Sequence, residues 1–263
     1  MRDAVKEIEE DKEADELEDE SAKMSFLEHL DELRKRLLHI IVYIGIGFVA
    51  CFYFARPIYR FISIPILESM PEGTSLVFTN PTDPFTLYIK VALLAGVFLT
   101  IPFTLYEVWK FIAPGLYRRE KRYVLPFMFS SIILFVAGGA FCYYVVLPQA
   151  YRFLIGIGGD FKPMITINEY LGLTLTMLLG FGLVFEMPVL VAFLSIFGLV
   201  SPGFLWRNFK YSLILIVAAA AVLSPTGDAF NLIIWTAPMV FLYCLSIGVS
   251  AIFNWRRKKR EAA

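Results

Sequence analysis

Three glutamates stand where a carboxylate must find a partner. Glu32 lies in the stretch FLEHLDELRKRLL, residues 26–38, behind Glu28 and Asp31 and ahead of Arg34, Lys35 and Arg36. Glu120 is the lone acid in YRREKR, flanked by Arg118, Arg119, Lys121 and Arg122. Glu186 sits in FGLVFEMPV near the middle of an apolar run, with Pro188 two residues on. Basic neighbours keep Glu32 and Glu120 ionised and offer them competing partners. The chemistry open to these two is ion pairing at a water boundary. On a helix, Asp31 with Lys35 and Glu32 with Arg36 would also form ordinary i,i+4 pairs on a solvated face. Glu186 is different, because a carboxylate at that depth is costly unless it is protonated or partnered.

Bond-making chemistry finds little support. Cys51, Cys142 and Cys244 all sit in apolar runs without a C-x-x-C pair, so they read as small packing residues. His29 and His39 are the only histidines, and there is no H-E-x-x-H. Walker A, G-x-S-x-G and G-x-G-x-x-G patterns are also missing from the sequence. No metal, nucleotide cofactor or nucleic-acid partner is expected, and the chain does not read as an enzyme.

The elements that carry the glutamates are membrane helices. Of 263 residues, 58% are hydrophobic and 18% charged, against about 25% charged in soluble domains. Mean hydropathy is +0.65. In residues 26–38, Leu27, Leu30, Leu33, Leu37 and Leu38 recur at helical spacing, which predicts an amphipathic helix at a membrane mouth. Apolar runs then predict six spans over 37–55, 85–106, 123–147, 170–197, 211–223 and 230–253. The fifth would reach only about 20 Å against a hydrocarbon core of about 30 Å. Between the first two, Pro57, Pro65, Pro71, Pro81 and Pro84 forbid a long helix and predict short interfacial helices capping the bundle. Gly138, Gly139 and Ala140 offer a smooth patch for close helix contact. Pro148 is expected to end the third span, and residues 107–122 to form a polar connection.

Charge orients these spans. The segments before span one, between two and three, between four and five, and after six hold 19 Lys and Arg. The opposite loops hold four: Arg56, Arg60, Arg152 and Lys162. By the positive-inside rule both termini are cytoplasmic. Residues 1–23 carry eleven acids and four bases and are expected to be a disordered acidic tail. Met24 opens the organised part, 24–255 forms the membrane domain, and 256–263 is a basic cytoplasmic tail. No cleavable signal peptide is recognisable, so the first apolar run is expected to act as an uncleaved anchor.

Three stretches, in this order and at these places in the topology, resemble the TatC family, the multispanning subunit of the twin-arginine protein translocase. They are HLDELRKRLL at 29–38, YEVWKFIAPGLYRREKR at 106–122 and FGLVFEMPV at 181–189. The resemblance covers about residues 24–255. It implies a receptor that binds twin-arginine signal peptides of folded cargo and assembles with TatA- and TatB-type single-span proteins for export driven by the proton-motive force. It also implies a bacterial-type cytoplasmic membrane, contact with membrane lipids and a homo-oligomeric state within the complex.

Carried over by position, the resemblance assigns the signal-peptide site to Glu32, Glu120, Phe111, Arg34 and Arg36. It assigns Glu186 an intramembrane partner contact, and Pro65 and Asp228 to the external loops. Two guanidiniums suit two carboxylates, since each pair is held by two parallel hydrogen bonds. One departure is visible: Asn231 and Leu232 stand where many relatives are expected to carry Ser-Gln. A second reading of the residues is a proton-coupled transporter using Glu186 as its carrier, although the two halves show no repeat.

Overall fold

The computed structural model describes residues 2–112, 124–158, 161–224 and 228–261; for 2–26, 253 and 255–261 it describes the backbone alone. The chain opens with a single 52-residue helix, α1 (Arg2–Tyr53). Its first turns carry the acidic segment 2–23 and run on into the first apolar span. Two short helices follow, α2 (Ala55–Ile62) and α3 (Ile64–Leu67), in the proline-rich stretch. Then comes α4 (Asp83–Ile112), which continues through Pro102. Residues 107–112, read from sequence as connection, are its last turns.

Val124–Ile157 is helical throughout, as α5 (Val124–Phe141), a π-helical turn at Cys142–Val146, and α6 (Leu147–Ile157). Pro148 does not end the helix as expected. It enters in the first turn of α6 behind the wider π turn, where its missing N–H and its ring are accommodated. The run over 170–197 is divided into α7 (Ile167–Val184) and α8 (Met187–Ile196), with Phe185 and Glu186 in the turn and Pro188 opening α8. The chain ends with α9 (Pro202–Arg207), α10 (Phe209–Leu223) and α11 (Ala229–Glu261). The basic residues 256–260 thus extend the last helix.

Among the described residues, five helical segments are long and apolar enough to cross a membrane: Leu27–Tyr53, Asp83–Ile112, Val124–Ile157, Ile167–Ile196 and Ala229–Ile252. The apolar helix Phe209–Leu223 is shorter, with 15 residues, about 22 Å of rise.

Apolar burial centres on α7, with Leu171, Met177 and Phe181 fully enclosed. Phe181 stacks on the buried Trp235 of α11 at 4.5 Å. Small residues let these helices meet. A Cβ on Gly138 would strike the Phe181 carbonyl, and one on Gly139 would enter the Phe98 ring of α4. The smooth patch expected in the third span is therefore in use.

A second close crossing joins α1 to α4. A Cβ on Gly96 would lie 2.7 Å from the backbone nitrogen of Phe48, and one on Gly47 would lie 2.8 Å from the Gly96 carbonyl. Tyr143 ties α2 to the π turn by donating to the Phe61 carbonyl at 2.6 Å while its ring stacks on Phe61. Val77 and Thr166 form an isolated bridge that pins the chain before α4 to the start of α7.

Candidate functional site

The seam between α1 and α4 runs antiparallel and changes character along its length. Below the Gly47/Gly96 crossing, Tyr43 meets Phe103, their ring centres 5.7 Å apart. The next residues along are charged. Arg36 of α1 donates from Nη1 to Oε2 of Glu107 at 3.0 Å, and His39 Nδ1 lies 3.5 Å from the same oxygen. Arg36 also donates from Nη2 to Oε1 of Glu32, again at 3.0 Å. At the far end His29 stacks on Phe111, with ring centres 4.4 Å apart. The contact residues are His29, Glu32, Arg36, His39 and Tyr43 on one helix and Phe103, Glu107 and Phe111 on the other. Both sets repeat at three- and four-residue steps, so each is one helical face.

This arrangement resolves the pairing left open by the sequence. Glu32 and Arg36 do form the i,i+4 pair, but Arg36 is shared with a second carboxylate on another helix. Glu107 has only 4% of its side chain exposed, and Arg36 17%. A buried carboxylate needs such a partner, since an unpaired charge there would cost several kcal/mol. Glu32 is more open, and among the described residues its Oε2 takes no donor. It faces a cleft of about 370 Å³ lined by Glu28, Asp31, Glu32, Lys35, Arg36 and His39. Among its described lining residues, all on α1, carboxylates outnumber strong cations, which suits a visiting cation.

The structure brings together three of the five residues carried over to the signal site: Glu32, Arg36 and Phe111. Arg34 is exposed and makes no ion pair among the described residues. Glu120 lies outside the described residues. Glu107 was missed by the sequence reading, which took it for the first residue of a connection. Its signal was present, since Phe103, Glu107 and Phe111 are four residues apart and share a face.

The remaining predicted residues lie elsewhere. Glu186 sits in the turn between α7 and α8, with the buried Ser131 of α5 as a polar neighbour. Its Oε1 is buried without a hydrogen-bond partner among the described residues. Pro65 is buried in the first turn of α3, and its carbonyl accepts from Ser69 Oγ at 2.7 Å. Asp228 precedes α11 and caps it: Oδ1 accepts from the Asn231 backbone N–H at 2.8 Å and Oδ2 from the Asn231 side chain at 2.9 Å. Asn231, which departs from the expected Ser-Gln, is therefore engaged within its own chain.

The sequence reading also passed over Asp83, which opens α4. It is buried and accepts from the backbone N–H groups of Thr79 and Asn80 and from Asn168 Nδ2 at 2.7 Å. Among the described residues, no cluster of three or more His, Cys, Asp or Glu side chains could hold a metal ion.

Comparison with known proteins agrees with the fold. The family model described as Sec-independent protein translocase protein (TatC) matches residues 28–238. The TatC protein of Koribacter versatilis is 52% identical over 244 residues, which is 91% of this chain and 90% of the relative. That of Aquifex aeolicus is 35% identical over 90% of this chain and 98% of its own length. A crystal structure of the twin-arginine translocase receptor TatC superposes with a TM-score of 0.77 at 34% identity, covering 86% of this chain and 99% of that one. A second crystal structure of that receptor, in the detergent DDM, gives 0.76 at 35% identity, covering 84% and 99%. With a bundle of apolar helices, a family model spanning most of its length and relatives this similar end to end, the chain is a membrane protein that belongs to the TatC family of Sec-independent protein translocases.

Proposed function

We propose that this chain is the receptor subunit of a twin-arginine translocase. It binds the paired arginines of signal peptides on folded cargo at the polar end of the α1/α4 seam. The observation that carries the reading is Glu32: it lines the cleft, one oxygen is held by Arg36, and the other takes no donor among the described residues. A guanidinium is the natural visitor to such an oxygen, because charge-assisted N–H to carboxylate bonds are short and strong. Glu120 would take the second arginine. Phe111 supports the site by stacking on His29, which fixes the end of α4 against α1. Arg34 and Arg36 set the local field around Glu32.

In this reading six spans, with α10 as the short fifth, place both termini in the cytoplasm of a bacterial-type cell membrane. The 19 to 4 distribution of Lys and Arg supports that orientation. The proline-rich stretch with α2, α3 and Pro65, and the turn at Asp228, then face outward. Single-span partners of the TatA and TatB type assemble with the chain, further copies of it join the complex, and export draws on the proton-motive force. Glu186 offers a polar contact to a partner's span, in place of the carrier role that a proton-coupled transporter would give it.

The test is binding of a twin-arginine peptide, and of its twin-lysine version, to the purified full chain and to Glu32→Gln, Glu120→Gln and the double variant. Each charge-assisted pair contributes about 1.5 to 3 kcal/mol, so the double variant should bind about 10² to 10⁴-fold more weakly. Undiminished binding by the double variant at equal folded yield rules the site out.

A further inference from the structure

Glu107 has no part in the signal site as carried over from the family resemblance, yet it decides how Arg36 is held. An arginine and a glutamate one helical turn apart are free to close into a fork, with two parallel N–H bonds to both carboxylate oxygens. Here that fork is open. Nη2 of Arg36 reaches Glu32, but Nη1 is drawn across the seam to Glu107, each at 3.0 Å. Among the described residues Nε of Arg36 is buried without an acceptor, so the guanidinium is not placed to satisfy all its own donors. His39 Nδ1 adds a second donor beside the Glu107 oxygen that holds Arg36. The result is that, among the described residues, only one oxygen of Glu32 is engaged.

We propose that Glu107 is a positioning residue for signal recognition: by holding Arg36 on the α4 side of the seam, it reserves an oxygen of Glu32 for the guanidinium of the incoming signal. This rests on the reading of Glu32 as a guanidinium acceptor. Without the Glu107 charge, Arg36 closes on Glu32 and occupies both oxygens. The signal arginine must then displace a resident one. Arg36 thus acts as a tethered competitor, and Glu107 sets how strongly it competes. A carboxamide at 107 keeps the shape of the side chain but loses its hold on the guanidinium, because a neutral acceptor bonds a cation more weakly.

The experiment is a titration of a twin-arginine peptide against the full chain in lipid nanodiscs, with affinity expressed per folded molecule. Glu107→Gln should weaken binding about tenfold, the order of one displaced charge-assisted hydrogen bond. Arg36→Gln added to Glu107→Gln should then recover at least about threefold, because the competitor is gone. A merely structural role for Glu107 predicts the reverse, with the double variant no better than the single. Equal affinity of wild type and Glu107→Gln, or no recovery in the double variant, overturns the inference. Where Glu107→Gln does not fold, Glu107→Asp with and without Arg36→Gln replaces it, with the same directions and smaller size. Glu32→Gln in the same titration separates the two proposals. If it binds like wild type, the receptor reading of Glu32 fails; if it binds weakly while Glu107→Gln does not, only the role of Glu107 fails.

Discussion

Replacing Gly96 by Ala adds one methyl group at the crossing of α1 and α4, and the structure gives its size directly. The new Cβ would lie 2.7 Å from Phe48 N, 2.9 Å from the Gly47 carbonyl carbon and 3.0 Å from Phe48 Cα. Ordinary contacts are about 3.5 to 4.0 Å, so α1 must retreat by about 0.5 to 1 Å. All three obstacles are backbone atoms of α1, which cannot rotate aside. Overpacking of this kind costs about 1 to 3 kcal/mol. Against it stands a helix-propensity gain of about 0.5 to 1 kcal/mol for any Gly-to-Ala change in a helix. Gly45→Ala isolates that gain, because nothing lies within 4 Å of a Cβ there. The two variants should therefore differ in stability by about 1 to 3 kcal/mol, with Gly45→Ala at or above wild type and Gly96→Ala below it. Equilibrium unfolding in mixed micelles, followed by helical circular dichroism against the mole fraction of denaturing detergent, measures that gap. Glu107 lies about 16 Å further along α4, so Gly96→Ala should also loosen the Arg36 contact and lower peptide affinity. Equal unfolding midpoints for the two variants would refute the close crossing and the seam built on it.

Glu186→Leu should reduce both crosslinking to single-span partners and export, whereas Ser131→Ala should cost only about 1 kcal/mol of stability and leave crosslinking intact; unchanged crosslinking and export in Glu186→Leu would remove any functional role. In a cysteine-free version of the chain, Gly227→Cys should react with an impermeant maleimide on intact cells and Arg118→Cys should not. The opposite pattern would invert the proposed orientation.

The spans were legible because lipid imposes a length and a composition that a reader can count. The finer divisions were not. Pro148 was read as a stop, yet a π turn at Cys142–Val146 absorbs it, and nothing in the order of residues announces a π turn. At the site, Glu32, Arg36 and Phe111 were accessible through motifs, but their joint geometry required α4 to run to Ile112. Once residues 107–112 are read as connection, Glu107 loses its face and its partner with it. Ser131 and Glu186 come together from separate helices, so neither spacing nor pattern reveals their proximity.

One consequence of the α1/α4 pairing concerns the order of synthesis. Within the described residues α1 keeps few buried positions, and its long interface is with α4. When α1 leaves the ribosome that interface does not yet exist. The end of α4 follows the end of α1 by roughly 60 residues, which at about 5 to 20 residues per second is about 3 to 12 seconds. Through that interval Arg36 has Glu32 as its nearest carboxylate, one turn away on the same helix. The arrival of Glu107 is thus the event that divides the guanidinium between two acids and opens the cleft, so the binding site would mature only when the second long helix has been inserted.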